Sequence, residues 1–277
     1  MDKADKRIKV LERKLKRSER SRSSLEDFKD RNQRLLMVVN SEAEEAKRLI
    51  ERQNSELQRL NGELDIERKR FEDLLLNILP ESVLVQIKEG DPRAAGRFDA
   101  ATMLFADLVG FTPMSAQVDP TEVIDYLHGL FVRLDALTER HRVEKIKTIG
   151  DAYMVCAGAP RVHQDHAVSV AHFGLDMLDE IRGNDVHGFP MQFRVGMATG
   201  PVVGGIVGRK RFLYDVWGDA VNVAARMEST GIPGRLQATE YTASLLEGHF
   251  ALEDRGLISV KGRGQMRTFF VDRLPGG

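Results

Sequence analysis

Apolar residues recur every seven positions through the first 80 residues, a region rich in charged residues in which Gly62 is the one glycine. A single heptad register runs from Ile8 to Ile78, and most of its a and d positions are apolar. Such a repeat predicts a coiled coil. We therefore expect a coiled-coil signalling helix over residues 1–79. At about 1.5 Å per residue its heptad segment would be roughly 105 Å long.

The predicted seam also contains polar residues, among them Ser18, Arg22, Lys29 and Asn32. Polar groups in a seam weaken its packing, and they disfavour wrong registers and higher oligomers. Three interpretations of this charged helix stay open. The charges simply form the solvated exterior of the helix, or the weak seam lets the helix pair change register and pass a signal. In the third interpretation the basic first 25 residues contact a membrane surface or an acidic partner.

The pattern changes at Pro80, because a proline disfavours helical geometry in the residue before it. Residues 80–97 are predicted to be a connector, or transducer element, and residues 98–274 a separate domain. Strand-like and helix-like segments follow one another there in the order strand, helix, strand, strand, helix, strand. This order predicts a ferredoxin-like βαββαβ core, and hence an α/β (α+β) fold. The six segments are "FDAATMLFAD", "PTEVIDYLHGLFVRLDALTERH", "VEKIKTI", "AYMVCAG", "DHAVSVAHFGLDMLDEIRG" and "PMQFRVGMATG".

The glycine-rich segment "PVVGGIVG" follows the last of these strands. It lacks the Lys-Ser/Thr ending of a phosphate-binding P-loop. We therefore predict a hairpin in which this segment pairs with the strand before it. A further helix is expected over "GDAVNVAARMEST", and the chain ends with two strand-like pieces, "FALEDRG" and "RTFFVDR".

Composition excludes several classes of function. The 41 basic and 42 acidic side chains nearly cancel, which argues against a nucleic-acid partner. The single cysteine, Cys156, allows no internal disulfide and suits a reducing compartment. No apolar run approaches the roughly 20 residues that span a bilayer, and the charged N-terminus is no signal peptide. We expect a cytoplasmic protein, or the cytosolic portion of a membrane-associated protein with an upstream sensor outside this sequence.

Two carboxylates are the first candidates for chemistry. Asp107 is expected at the end of the first strand, and Asp151 at the tip of the hairpin in "KTIGDAYMV". The ferredoxin-like order makes that strand and that hairpin neighbours, so the two carboxylates would converge. They would repel each other unless a cation lay between them, and hard oxygen ligands suit Mg²⁺ or Mn²⁺. The helix start at Gly110, Phe111 and Thr112 offers amides to a phosphate.

Four motifs in this order, "FADLVGFT", "KTIGDAYMV", "YDVWGDAVNVAARME" and "VKGRG", resemble the class III nucleotidyl cyclase family. The resemblance covers roughly Phe98 to Leu274. It implies that a nucleotide 3′-hydroxyl attacks the α-phosphate and that pyrophosphate leaves. It also implies two divalent cations, Mg²⁺ or Mn²⁺, held by Asp107, Leu108 and Asp151.

The resemblance assigns the remaining site residues. Asn222 would orient the ribose and Arg226 would stabilise the transition-state phosphate. Lys261 looks like the family's phosphate-binding lysine, and Phe111 and Thr112 are expected beside the substrate. Lys210 and Arg211 either help with phosphate or form a plain basic loop.

Base selection rests on Lys147 and Asp215, whose positions read the base in the family. A Lys donor and an Asp acceptor complement the N1 acceptor and the N6 amine of adenine. A Glu in place of the Lys would suit guanine. The expected substrate is therefore ATP and the expected activity that of an adenylate cyclase. A guanylate cyclase and a non-catalytic cyclase-like signalling module are the alternatives.

In the family each site lies between two subunits. One subunit supplies the metal-binding aspartates and the other supplies the residues that contact base, ribose and phosphate. This chain carries both sets, so the resemblance implies a homodimer with two equivalent sites. A parallel coiled coil ahead of the domain would bring the copies together, and a change in its geometry would control catalysis.

Overall fold

The computed structural model describes residues 3–76, 78–208 and 213–275. The chain divides into two compact units, which meet in the sequence between Glu72 and Asp73. The helices are α1 (Lys3–Leu76), α2 (Glu81–Lys88), α3 (Phe111–Ser115), α4 (Pro120–His141), α5 (His166–Glu180), α6 (Asp219–Ser229) and α7 (Glu240–Ser244). The strands are β1 (Gly96–Val109), β2 (Glu144–Ile149), β3 (Ala152–Ala157), β4 (Asp185–Val186), β5 (Phe189–Pro190), β6 (Gln192–Ile206), β7 (Tyr214–Trp217), β8 (Leu236–Thr239), β9 (Ala251–Val260) and β10 (Gly264–Asp272).

The first unit is a single long helix, which confirms the predicted helix over this region. Its heptad leucines are exposed in the single chain, as at Leu15, Leu36 and Leu64. Ion pairs four residues apart line its surface, including Arg59–Glu63 at 2.7 Å. Such exposed pairs contribute little stability each. No helix within the described ranges combines the length and apolarity that crossing a membrane requires.

The connector is packed into the second unit. Pro80 is the N-cap residue of α2, so the proline separates two helices as the sequence indicates. Leu79, Val83 and Leu84 are buried. Leu79 and Val83 join an apolar cluster that includes Met154 and Tyr214 from the sheet. Burial of these side chains stabilises the seating of α2 by about 1.5–3 kcal/mol each as an upper estimate.

The second unit is built on one mixed sheet, in which strands β2, β3, β1 and β6 are neighbours in that order. This is the ferredoxin-like arrangement, so the predicted core is confirmed. Helices α4 and α5 cover one face, where their apolar side chains pack on Leu104 and Tyr153. Helices α2 and α6 cover the other face, around Met103 and Met154. Below, the two are called the α4 face and the α6 face.

The predicted hairpin at "PVVGGIVG" is wrong. Strand β6 runs straight through the Gly200–Pro201 step over 15 residues. Its partner β1 has an irregular register between Phe98 and Ala101, opposite that proline. A proline cannot donate a ladder hydrogen bond, and a bulge in the neighbouring strand removes the need for one. The antiparallel partner of the end of β6 is instead β7, which pairs Val203 with Trp217.

Candidate active site

Asp107 and Asp151 lie close together, as the sequence predicts. Asp107 lies within β1, two residues before that strand ends at Val109, rather than at its end. Asp151 follows Gly150 in the tight turn between β2 and β3, where the positive φ of 64° at Gly150 suits glycine. Burial raises the pKa of the Asp151 carboxyl, and the nearby Asp107 charge raises it further against a backbone hydrogen bond. The two carboxylates therefore form a repulsive pair.

The donor set of this pair fits a small divalent cation. Carboxylate oxygens are the ligands that Mg²⁺ and Mn²⁺ prefer, and a cation would remove the repulsion. The Leu108 side chain is buried in the core, so only its backbone carbonyl could contact a metal ion. Among the residues that the structure describes, His, Cys, Asp and Glu side chains form no metal-binding group of three or more. Substrate and solvent oxygens would have to complete the coordination.

Arg194 and Glu228 belong to the same cluster, and the sequence reasoning missed both. Arg194 lies directly opposite Asp107 in the β1–β6 register. Its guanidinium donates to Asp107 Oδ2 at 3.3 Å and to Glu228 Oε1 at 2.7 Å. Burial raises the pKa of the Glu228 carboxyl, opposed by the Arg194 contact and aided by the Asp107 and Asp151 charges. The sequence does contain one indication of Arg194, because it is a charged residue inside the otherwise apolar strand "FRVGMA".

The α6 helix reaches this cluster because Gly196 leaves room for it. A Cβ atom at Gly196 would lie 1.9 Å from the backbone nitrogen of Glu228 and 2.3 Å from the carbonyl carbon of Met227. The helix backbone therefore rests directly on β6. This close approach brings Glu228 beside Arg194 and orients the rest of α6.

Lys147 and Asp215 also meet, although 68 residues separate them in the sequence. Lys147 Nζ donates to Asp215 Oδ2 at 2.5 Å. Strand β7 carries Asp215, whose other carboxylate oxygen accepts from the backbone nitrogen of Val216 at 2.9 Å. Both side chains are largely buried, with 27% and 16% of their surface exposed. The site thus holds an ammonium donor next to a carboxylate acceptor.

The other predicted site residues lie on the surface of the single chain. Asn222 and Arg226 occupy the exposed side of α6, one turn apart. Lys261 is exposed in the turn between β9 and β10. Phe111 and Thr112 begin α3, with Phe111 half-buried and Thr112 exposed. Lys210 and Arg211 lie outside the described residues.

Replacing Asp151 by Asn should stabilise the protein in the absence of divalent cations. The raised pKa means that the folded state binds this proton more tightly than the unfolded chain. The associated stability is present below the ordinary pKa of 3.8 and is lost as pH rises through the raised value. At pH 7 the charge is therefore unfavourable, and we expect Asp151→Asn to raise the Tm by about 1–3 °C in EDTA.

Differential scanning fluorimetry at pH 7 checks this expectation. The matched control is Asp125→Asn on the exposed side of α4, which should leave the Tm unchanged. A lower Tm for Asp151→Asn would contradict the repulsion between the two carboxylates.

The fold and the site define a nucleotidyl cyclase catalytic domain, and comparison with known proteins agrees. Residues 94–273 match the family described as the adenylate and guanylate cyclase catalytic domain. The chain belongs to this family, as the sequence motifs predict. Cyclase domains of this family bind nucleotide substrates, generally depend on divalent metal ions and typically function as dimers.

Relatives of both substrate classes are similar to the chain. An adenylate cyclase of Mycobacterium tuberculosis is 45% identical over 215 residues, covering 77% of this chain and 48% of that protein. The guanylate cyclase soluble subunit beta-2 of Rattus norvegicus is 44% identical over 226 residues, covering 80% of this chain and 33% of that protein. The chain therefore spans half or less of the length of these curated relatives.

Solved structures share the fold. The guanylate cyclase domain of RhGC from Catenaria anguillulae, in complex with GTP, is 34% identical with a TM-score of 0.62. That comparison covers 64% of this chain and 98% of the other. The adenylyl cyclase CyaB from P. aeruginosa is 25% identical with a TM-score of 0.61, covering 66% of this chain and 97% of the other.

Proposed function

We propose that this chain converts ATP to 3′,5′-cyclic AMP and pyrophosphate. The observation that carries the proposal is the contact of Lys147 with Asp215 at 2.5 Å. An ammonium donor beside a carboxylate acceptor complements adenine, which has an acceptor at N1 and a donor at N6. Guanine has the opposite pattern on that edge, and it would leave both protein groups mismatched in a largely buried position.

The reaction joins the ribose 3′-oxygen to the α-phosphorus and breaks the bond to the pyrophosphate oxygen. Two Mg²⁺ or Mn²⁺ ions, when bound, would activate the hydroxyl and neutralise phosphate charge. Asp107, Asp151 and the carbonyl of Leu108 would hold them. Arg194 donates to both Asp107 and Glu228, so its guanidinium would hold the Asp107 carboxylate in place and add positive charge beside a bound phosphate.

The remaining residues would position the substrate. Asn222 would orient the ribose, and Arg226 would stabilise charge on the transferring α-phosphate. Lys261 would bind the terminal phosphates, with the amides of Phe111 and Thr112 close by. Positioning and electrostatic stabilisation of this kind account for most catalysis of phosphoryl transfer.

We further propose that the site is shared by two copies of the chain, each supplying one half. Two features support this arrangement. Asn222 and Arg226 point into solvent from α6, and Arg226 has no ion-pair partner among the described residues. The exposed heptad face of α1 needs an apolar partner, which a second α1 in parallel would supply. Changes in that coiled coil would then alter the relative angle of the two catalytic domains.

Guanylate cyclase activity is the second candidate, favoured by the similarity to guanylate cyclases. The test is incubation of the purified chain with ATP or GTP and Mn²⁺, followed by measurement of cyclic product. We expect kcat/KM for ATP to exceed that for GTP by at least about 100-fold. Equal or greater formation of cyclic GMP would overturn the substrate assignment, and no product from either nucleotide would favour a non-catalytic module.

The Lys147→Glu variant tests the base-reading pair directly. It replaces the donor at adenine N1 with an acceptor and sets two carboxylates side by side at Asp215. We expect kcat/KM for ATP to fall by at least about 100-fold, with a smaller loss for GTP. Lys69→Glu on the exposed surface of α1 is a charge-matched control, which should retain the wild-type preference. An unchanged preference in Lys147→Glu would show that Lys147 does not read the base.

A further inference from the structure

Strand β2 contains a bulge immediately before Lys147. Its pairing with β3 starts regularly, with Glu144 opposite Cys156 and Lys145 opposite Val155. The register then shifts, and Lys147 rather than the intervening residue lies opposite Met154. One extra residue has therefore been inserted into β2. Bulges of this kind redirect side chains and are frequent beside active sites.

The bulge decides which face of the sheet carries Lys147. Successive side chains of a regular strand alternate, so Lys145 and Lys147 would share a face. Lys145 lies on the α4 face, since its partner Val155 is packed there. Met154, the partner of Lys147, belongs to the α6 face. The extra residue thus places Lys147 on the α6 face, where its ammonium donates to Asp215.

Lys145 is held firmly on the opposite face. Its ammonium donates to both carboxylate oxygens of Asp135 on α4, at 2.7 and 2.9 Å. The Tyr153 hydroxyl donates to the same carboxylate at 2.5 Å, and Lys145 Nζ lies 5.1 Å from the centre of the Tyr153 ring. Tyr153 is completely buried on the adjacent strand β3. The three groups tie α4, β2 and β3 together on both sides of the bulge.

The main effect of this cluster is to orient its side chains rather than to add stability. The side chains of Lys145 and Asp135 keep 35% and 46% of their surface exposed, so solvent screens their Coulomb attraction. The Tyr153 hydroxyl is buried, and leaving it unpaired would be costly. Asp135 is therefore fixed by Tyr153, and it fixes Lys145 in turn.

Strand β2 needs such a restraint because it is an edge strand, and within the described part of the chain its one ladder neighbour is β3. Register is weakly specified in a strand that carries polar side chains on both faces, as β2 does with Lys145 and Lys147, and a slip of one residue exchanges its faces. Without the bulge Lys147 would lie opposite Tyr153, on the α4 face. Asp135 would then offer it a competing carboxylate.

We propose that Asp135 and Lys145 are positioning residues that hold the bulged register of β2 and so keep Lys147 on the face that reads the nucleotide base. This inference rests on the proposed function, in which Lys147 and Asp215 discriminate adenine from guanine. It adds a source of specificity on the opposite side of the sheet from the base. Both positioning residues would act through Lys147 rather than through contact with the substrate.

The experiment compares Asp135→Asn, Lys145→Met and Lys145→Arg with the wild type. The readout is the ratio of the dissociation constants of 3′-deoxy-ATP and 3′-deoxy-GTP with Mn²⁺, which lack the attacking hydroxyl and report on base recognition without turnover. We expect the preference for the adenine nucleotide to fall about tenfold in Asp135→Asn and Lys145→Met. Lys145→Arg keeps the ion pair and should retain the wild-type ratio. In the cyclase reaction the first two variants should raise KM for ATP more than they lower kcat.

Arg133→Met is the matched control, because it removes another ion pair of α4, Arg133–Glu180 at 3.3 Å, that does not touch β2. It should leave the ratio unchanged. The positioning inference is overturned if Asp135→Asn and Lys145→Met retain the wild-type ratio while Lys147→Glu alters it, even if their Tm values fall. A ratio that Lys147→Glu also leaves unchanged would refute base reading itself, and the positioning role with it. Two independent positioning variants keep the test decisive if one of them does not fold.

Discussion

Mixing chains that carry Asp107→Ala with chains that carry Arg226→Ala should restore cyclase activity that neither variant shows alone. Each homodimer would lack one half of both its sites, and we expect losses of at least about 1,000-fold. Random pairing makes half of the dimers mixed, and each mixed dimer regains one intact site of two. The mixture should therefore reach about a quarter of the wild-type rate.

The control for this mixture is a second one, Asp107→Ala with Asp151→Ala. Both of these changes would damage the proposed metal-binding half, so each shared site in a mixed dimer would still contain a damaged half. This mixture should stay inactive. Heterodimers isolated with two affinity tags make the measurement independent of the mixing ratio. Inactivity of purified Asp107→Ala/Arg226→Ala heterodimers would refute the proposal of a shared site. Activity in the control mixture would refute it as well.

The Gly196→Ala substitution should damage both stability and catalysis, although it adds a single methyl group far from solvent. The new Cβ would overlap the backbone of Glu228 and Met227, and backbone cannot move aside as a flexible side chain can. Helix α6 must shift outward, which we expect to cost about 3 kcal/mol. The shift also displaces Asn222 and Arg226, and a displacement of about 1 Å lowers activity roughly 100-fold.

Urea unfolding and the cyclase assay measure the two effects of Gly196→Ala separately. Gly129→Ala is the control, since this glycine lies within α4 and its added Cβ would meet only the far end of the Arg133 side chain, at 3.9 Å. Alanine favours a helix over glycine, so that variant should gain about 0.5–1 kcal/mol and retain activity. Wild-type activity in Gly196→Ala would show that catalysis does not depend on the close packing of α6 against β6.

Several elements were predictable because local signals agree with the tertiary structure. The predicted helix "PTEVIDYLHGLFVRLDALTERH" coincides with α4 from end to end. Asp119 caps it by accepting from the backbone nitrogen of Thr121 at 2.9 Å, and Pro120 occupies its first turn. Arg142 ends it in a left-handed conformation at φ 55°. Amphipathic spacing, cap and stop signal all point to the same helix.

Other features were hidden because they depend on strand pairing. The Gly200–Pro201 step resembles a turn locally, and the irregular register of β1 opposite it lets β6 continue. Arg194 becomes a partner of Asp107 through the β1–β6 register, which no spacing along the chain indicates. The bulge in β2 leaves no mark in "EKIKTI", because regular alternation and a bulge differ only in what lies opposite.

The sequence by itself determined the long heptad helix and the order of the core elements, and it singled out Asp107, Asp151, Lys147 and Asp215 as candidate site residues. Those properties follow from periodicity and from side-chain type, which are local. The tertiary structure alone decided that Arg194 and Glu228 join the carboxylates, that Gly196 seats α6, and that a bulge turns Lys147 toward Asp215. Each of these depends on which backbone atoms lie within a few ångströms across the sheet, and residues distant in the sequence supply them.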